Sequence, residues 1–194
     1  MYKATKQVKH LQSVMEHINL VRLFCSTLND RLDNDIFGRI SDEEIKNHDA
    51  SKFSEIEITG YVKQFYTDDK NSQEWQTALK HHYQNNPHHW QYWLDDINGT
   101  MCEGLSTPLV MPSEQVLIMV ADWLAAGYQY KGSADISTWL NDNLLTKKIN
   151  LHKDTALLLN QVLEAIGFGI KVPSGEYSLR DKNLISKFKW LKAF

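Results

Sequence analysis

Cysteine is scarce in this sequence, which holds two of them, Cys25 and Cys102, in 194 residues. Two distant cysteines exclude the dense disulfide framework of a small secreted domain, and we expect free thiols in a reducing cytoplasm. No stretch reaches the roughly 18 apolar residues of a membrane span. The longest apolar run, residues 116–126, is interrupted by Asp122. The first ten residues lack an apolar signal core, so we expect a cytoplasmic protein with no membrane partner.

The sequence also lacks an excess of charge of either sign. Its 21 Lys and Arg residues against 24 Asp and Glu residues give a net charge of −3. This balance gives no reason to expect a nucleic-acid partner, which would favour a basic face. We find no internal repeat, low-complexity tract or linker, so the length predicts one domain. Whether that domain forms a homo-oligomer is left open.

No run of alternating polar and apolar residues indicates a β-sheet, whereas a helical period extends along most of the chain. Ser41 and Ser54 each precede a glutamate by three residues, which is the pattern of a capping box at a helix start. Pro87 suits the first turn of a helix after the Asn-Pro break. We predict an all-α fold with a loop at residues 67–72. The predicted helices are 4–28, a second helix that begins after the N-cap Ser41 and carries both His48 and Asp49, and then 54–65, 72–84, 87–98, 112–127, 133–145, 153–166 and 183–191.

Four side chains that can bind a metal fall on the apolar faces of three predicted helices: His17, His48, Asp49 and Asp122. An aspartate in the middle of VLIMVADWLAA is costly unless it is paired, hydrogen-bonded or bound to a cation. Each residue alone is more often structural, such as a core histidine bonded to a carbonyl or an aspartate paired with a basic residue. Together they are the imidazole and carboxylate ligands expected for Zn, Mn, Fe or Co.

This order of residues resembles the H…HD…D signature of the HD-domain superfamily of metal-dependent phosphohydrolases. The segment NHDASKF at 47–53 is similar to the HD-x-x-K form of the motif. The segments HHYQNNPHHWQYW and MPSEQVLIMVADW resemble a branch of HD-like proteins found in bacteria and phages. The resemblance implies a single helical domain, 1–194, with an HD-like core at about 4–127 and a helical extension at about 128–194. It also implies that the protein is located in the cytoplasm of a bacterial host or a phage-infected cell.

The resemblance implies one or two divalent transition metal ions (Mn, Fe, Co, Ni or Zn). The HD aspartate bridges two ions in members with extra histidines, and HHYQNNPHHW at 81–90 supplies such histidines. His82 follows the apolar face of its helix, whereas His81 points about 100° away. The sequence hardly separates His88 from His89, and all of these histidines could instead bind phosphate or cap the Asn-Pro turn. The predicted ligands are His17, His48, Asp49, His82, His89 and Asp122, with His81 and His88 contacting substrate.

Lys52 follows the HD pair by three residues and is expected to neutralise a phosphate oxygen or orient a nucleophilic water, unless it is an exposed helix-end lysine. Asp49, Lys52 and Glu55 are the predicted catalytic residues. Glu57 is a further candidate base, although a capping box explains it equally well. Trp90 is a candidate for stacking on a substrate base, but a structural tryptophan is the simpler interpretation.

The implied reaction is hydrolysis of a phosphate ester or anhydride, with a nucleotide as the favoured phosphorylated substrate. A bound divalent ion would lower the pKa of water and polarise a phosphoryl oxygen. Two alternatives remain open. Multi-histidine HD proteins with HD-x-x-K include mixed-valent di-iron oxygenases, and an HD scaffold can also bind a nucleotide without turnover. Metal identity and the product formed would separate these possibilities.

Overall fold

The structure of the protein is a computed structural model that describes residues 2–94, 107–137, 140 and 149–172, with side chains from residue 5 onwards. These residues form seven α-helices and two short 3-10 segments, with no β-strand among them. One isolated antiparallel bridge joins Leu94 to Pro108. The predicted all-α fold is therefore confirmed. Within the described ranges, no helix combines the length and apolar character that a membrane crossing requires.

The helices are α1 (Tyr2–Arg31), α2 (Asn34–Phe37), α3 (Asp42–Asn47), α4 (Glu55–Tyr66), α5 (Gln73–Asn85), α6 (Ser113–Lys131) and α7 (Lys153–Ala165). The 3-10 segments are Ala50–Phe53 and Trp90–Trp93. Ser41, Ser54 and Ser72 are N-caps, and each hydroxyl accepts a hydrogen bond of 3.2 to 3.3 Å from the backbone N–H three residues later. These caps explain where α3, α4 and α5 begin, since a serine at this position satisfies an otherwise unpaired N–H.

Helix α6 lies at the centre of the core. All six side chains from 116 to 121 are at most 2 % exposed, so both faces of this stretch contact other parts of the chain. Helices α1 and α7 both pack against it. The helix was predicted to end near Gly127, but it continues to Lys131. Gly132 then ends it in the left-handed conformation, with φ 70°, which favours glycine.

Helices α4 and α5 cross at Gly60 and Ala78. A Cβ atom built on Gly60 would lie 2.3 Å from the Ala78 Cβ and 2.5 Å from the carbonyl oxygen of Glu74. Glycine is therefore required for this close approach of the two helices. Glu57 lies one turn before Gly60, and His82 lies one turn after Ala78. The crossing thus holds these two side chains opposite each other.

Two side chains of α1 fix the position of α3. Asn29 is buried, and its amide both donates to the carbonyl and accepts from the N–H of Ile40, at 2.8 Å each. The guanidinium of Arg22 donates to the carbonyl of Lys46 at 2.9 Å, in the last turn of α3. These contacts hold the segment that follows α3, with His48 and Asp49, beside α1.

The predicted helix through the HD pair is wrong at its end. Helix α3 stops at Asn47, His48 leaves the helical region with ψ 128°, and Asp49 is left-handed at φ 56°. The predicted capping box at Ser41 is also incomplete. The Ser41 N–H donates to the carboxylate of Glu114 on α6 at 2.7 Å, rather than to Glu44.

The helix predicted from Pro87 does not form in residues 87–94. The Asn86 carbonyl accepts from the His89 N–H at 3.0 Å, which closes a turn, and the 3-10 segment follows directly. A proline without an N–H favours such a turn as readily as a helix start. The rest of that predicted helix, most of the helix at 133–145, the helix at 183–191 and Cys102 lie outside the described residues.

Candidate metal centre

Asp49 is the central residue of a buried group of histidines and carboxylates. It is 1 % exposed and adopts the left-handed conformation, with φ 56° and ψ 22°. This conformation is uncommon for residues other than glycine, asparagine and aspartate. Residues other than glycine that are held in this conformation cluster at functional sites. The bend between α3 and Ala50–Phe53 is therefore the local element that sets the position of the Asp49 carboxylate.

One group of side chains lies on the Oδ2 side of Asp49. His17 Nε2 is 3.6 Å from Oδ2, and His48 Nε2 is 3.3 Å from the same atom. Asp122 Oδ1 lies 2.8 Å from His17 Nε2 and 3.7 Å from His48 Nε2. The four residues offer ligand atoms within 4.8 Å of one another and could hold a metal ion. Helices α1 and α6 and the end of α3 all contribute to this group, which we call the HD group.

A second group lies on the Oδ1 side of the same carboxylate. His82 Nε2 and His88 Nε2 are each 3.6 Å from Oδ1. His89 Nε2 is 2.8 Å from His82 Nε2. Asp49, His82, His88 and His89 form this histidine group, whose ligand atoms also lie within 4.8 Å of one another. Asp49 belongs to both groups and turns one oxygen towards each.

Several polar atoms of the two groups have no hydrogen-bond partner among the described residues. They are both ring nitrogens of His48, His88 Nε2 and Asp49 Oδ1, all of them buried. An unsatisfied buried polar group costs about 1–3 kcal/mol, so such atoms are uncommon in folded proteins. Cations bound in the two groups would satisfy His48 Nε2, His88 Nε2 and Asp49 Oδ1, but not His48 Nδ1, which points away from the carboxylates. The donor set of imidazoles and carboxylates therefore fits a divalent transition metal.

The two carboxylates are held in their charged form. Burial would raise the pKa of Asp49, but the Lys52 ammonium, 2.6 Å from Oδ2, and the neighbouring imidazoles hold it well below its usual value. Burial would also raise the pKa of Asp122, but the hydrogen bond with His17 holds it well below its usual value. Burial would lower the pKa of His48, but Asp49 and Asp122 raise it to about 9. At neutral pH the His48 ring is therefore protonated on both nitrogens, and a metal ion would displace the Nε2 proton.

The paired histidines of the histidine group are neutral. Burial, followed by the neighbouring His89, lowers the pKa of His88 well below its usual value. Burial, followed by His82, lowers the pKa of His89 to about 3. Neutral imidazoles are the form that binds metals. The sequence assigned His89 to the metal and His88 to the substrate, whereas the structure brings both rings into one group.

Glu57 has a larger place in the site than its prediction as a candidate base or capping-box residue indicated. It is fully buried, and its carboxylate lies 2.7 Å from His81 Nδ1 and 2.9 Å from His82 Nδ1. It does not complete a capping box, because the Ser54 N–H donates to the Ser51 carbonyl. Burial would raise the pKa of Glu57, but the hydrogen bond with His82 lowers it. The signal available in the sequence was its position one turn before Gly60, since a glycine inside a helix can mark a close approach to another helix.

The remaining predicted residues are placed differently. Lys52 contacts Asp49 and is 14 % exposed at its side chain, so it is not a free helix-end lysine. His81 is 28 % exposed and lies on the outer side of Glu57. Glu55 is exposed in the first turn of α4, and Trp90 packs against the hydrophobic core. The structure thus brings together the six predicted ligands, His88 and Lys52, and it places neither Glu55 nor Trp90 in either group.

The sequence profile of DUF5662, described as a family of unknown function, matches residues 6–165. That span contains every residue of the HD group and the histidine group, together with Lys52 and Glu57. No curated protein and no solved structure matches the chain.

Proposed function

The chain belongs to the DUF5662 family, whose function is unknown, and we propose that it is an HD-type metal-dependent phosphohydrolase of a phosphorylated small molecule. A nucleotide is the favoured substrate class. The observation that most supports the proposal is the placement of Asp49, whose two oxygens face separate histidine pairs at 3.3 to 3.6 Å. The order of these ligands along the chain resembles that of multi-histidine HD proteins.

We assign one divalent ion to the HD group (His17, His48, Asp49 and Asp122) and a second to the histidine group (Asp49, His82, His88 and His89). When bound, such ions supply Lewis acidity and lower the pKa of a water molecule towards neutrality. The neutral state of His88 and His89 supports this assignment, because neither ring carries the second proton of an imidazolium, which ion binding would have to displace.

The exposure of the side chains indicates the direction from which a substrate would arrive. His17, Asp122 and Lys52 are 10 to 14 % exposed at their side chains. His48, His82 and His88 are 5 % exposed or less. A phosphate would therefore enter on the side of Lys52, whose ammonium is a mobile point charge suited to a phosphate oxygen. Its present partner, Asp49 Oδ2, is the atom it would leave when substrate binds.

A mixed-valent di-iron oxygenase is the second candidate. It is supported by the lysine three residues after the HD pair and by a ligand set shared through one carboxylate. Both features would serve a hydrolase and an oxygenase equally well, so they do not separate the two reactions. A nucleotide-binding scaffold without turnover would need the same residues for metal and phosphate binding.

The test is a screen of the protein purified without chelators and reloaded separately with Mn²⁺, Fe²⁺, Co²⁺, Ni²⁺ or Zn²⁺. Phosphate release from nucleotides and simple phosphomonoesters is measured, and oxygen uptake is followed in the iron form. We expect phosphate release by the wild type, loss of it in Asp122→Asn, and retention in Glu43→Gln, which changes an exposed carboxylate on α3. Oxygen uptake without phosphate release, or metal binding without either activity, would contradict the proposal.

A further inference from the structure

Glu57 connects the histidine group to helix α4. Its carboxylate is fully buried and places one oxygen on each Nδ1 of His81 and His82, at 2.7 and 2.9 Å. A buried carboxylate is costly unless its oxygens accept hydrogen bonds. Both bonds require an imidazole that donates from Nδ1. The geometry therefore favours the tautomer of His82 with an unprotonated Nε2, whose lone pair accepts a hydrogen bond from His89 Nε2 at 2.8 Å.

The surroundings of Asn86 support the same tautomer. Its side-chain nitrogen donates to the His82 carbonyl at 2.7 Å and to the Ser51 hydroxyl at 2.6 Å. The amide group has two hydrogens, and these two acceptors use both of them. The same nitrogen lies 3.1 Å from His82 Nδ1 but has no further hydrogen to give it. The Nδ1 proton of His82 is thus directed to Glu57, and Nε2 faces Asp49 Oδ1 at 3.6 Å.

We infer that Glu57 is a positioning residue that fixes the ring orientation and tautomer of His82 and so makes the histidine group, but not the HD group, depend on α4. The inference rests on the proposed function, in which the histidine group binds an ion. A carboxylate behind a ligating histidine typically contributes 10- to 100-fold to metal affinity. His81 holds the other oxygen of the carboxylate and limits its rotation.

The inference predicts a selective loss, which a metal titration can measure. Co²⁺ is titrated into chelator-treated protein, and the stoichiometry, the dissociation constants and the visible absorption bands are recorded. We expect two ions in the wild type. We expect the second ion to bind about 10- to 100-fold more weakly in Glu57→Gln, with its absorption band lost at low Co²⁺ and the first ion retained. Glu43→Gln is the control and should match the wild type.

A rescue variant separates positioning from a general effect on folding. Glutamine has a single side-chain oxygen, so in Glu57→Gln the two imidazoles compete for it. Removing one competitor in Glu57→Gln/His81→Leu leaves the oxygen for His82, and the affinity for the second ion should recover. Glu57→Asp, which keeps the charge but withdraws it from both rings, should show the same selective weakening as Glu57→Gln. If Glu57→Gln does not fold, Glu57→Asp replaces it in the metal titration.

The outcomes are distinguishable. Two ions bound with wild-type affinity by both Glu57→Gln and Glu57→Asp would overturn this inference and leave the proposed function standing. A wild type that binds no second ion would overturn the two-ion proposal and this inference with it. Equal loss of both ions without recovery in the double variant would show that Glu57 supports the fold rather than His82, which also overturns the inference.

Discussion

Substitution of Gly60 by alanine tests whether the crossing of α4 and α5 assembles the site. The added Cβ would lie 2.3 Å from the Ala78 Cβ and 2.5 Å from the Glu74 carbonyl oxygen, both far below contact distance. Alanine inside a helix is favoured over glycine by about 1 kcal/mol. Overpacking a core contact costs typically about 1–3 kcal/mol, and the cost is at the upper end here because a backbone oxygen cannot rotate away.

We therefore expect Gly60→Ala to lower the free energy of unfolding by about 1–2 kcal/mol, which corresponds to a fall in Tm of roughly 2–8 °C for a chain of this size. Urea denaturation and thermal unfolding measure these values. Gly169→Ala is the matched control, because nothing lies within 4 Å of a Cβ added there. It should change stability by no more than about 0.5 kcal/mol.

Two further results complete this test. Separation of the helices moves Glu57 away from His82. Gly60→Ala should therefore also lower the metal affinity of the histidine group more than that of the HD group. Gly60→Ala/Ala78→Gly should recover only part of the stability, because the contact with the Glu74 carbonyl remains. A Gly60→Ala variant more stable than the wild type, with unchanged metal binding, would show that the close crossing of α4 and α5 does not assemble the site.

Burial, followed by the charge of Lys52, lowers the pKa of His10 from 6.5 to about 4. Between pH 6.5 and pH 4 His10 therefore binds a proton in the unfolded chain but not in the native chain. Stability should fall as the pH drops through this window, by at most about 1.4 kcal/mol per pH unit. In urea denaturation at pH 7 and pH 5, His10→Phe, which keeps a ring against Tyr61, should show a smaller fall. Burial raises the pKa of Cys25 to about 12, so in a Cys102→Ser background a thiol reagent at pH 8 should react only upon unfolding. Lys52→Met should keep both ions in elemental analysis but raise KM for the phosphorylated substrate by about tenfold or more, through loss of a charged hydrogen-bond donor.

The sequence sufficed to identify His17 and Asp122 because both interrupt apolar helical stripes, where a polar side chain needs a partner. It also identified two of the serine N-caps, Ser41 and Ser54, which depend on local contacts alone. The all-α fold followed from the helical period. These features could be predicted because each depends on residues within one or two turns of the chain.

The bend at His48 and Asp49 could not be predicted in the same way. The left-handed φ of 56° is at an aspartate with no glycine or proline beside it, so helical spacing suggested a continuous α3. The position of Asp49 between the HD group and the histidine group depends on this bend. The contact of Glu57 with His82 depends on how closely α4 approaches α5 at Gly60, and tertiary packing of this kind leaves no local pattern.

Metal content per chain in the wild type and in Asp49→Asn measures whether the Asp49 carboxylate holds two ions. Asparagine tolerates the left-handed conformation at this position, so the change removes the carboxylate charge without adding backbone strain. If Asp49 bridges two ions, elemental analysis of the wild type should find two divalent ions per chain. Asp49→Asn, although folded with native helical content by circular dichroism, should lose both. A folded Asp49→Asn protein with the metal content of the wild type would contradict the account.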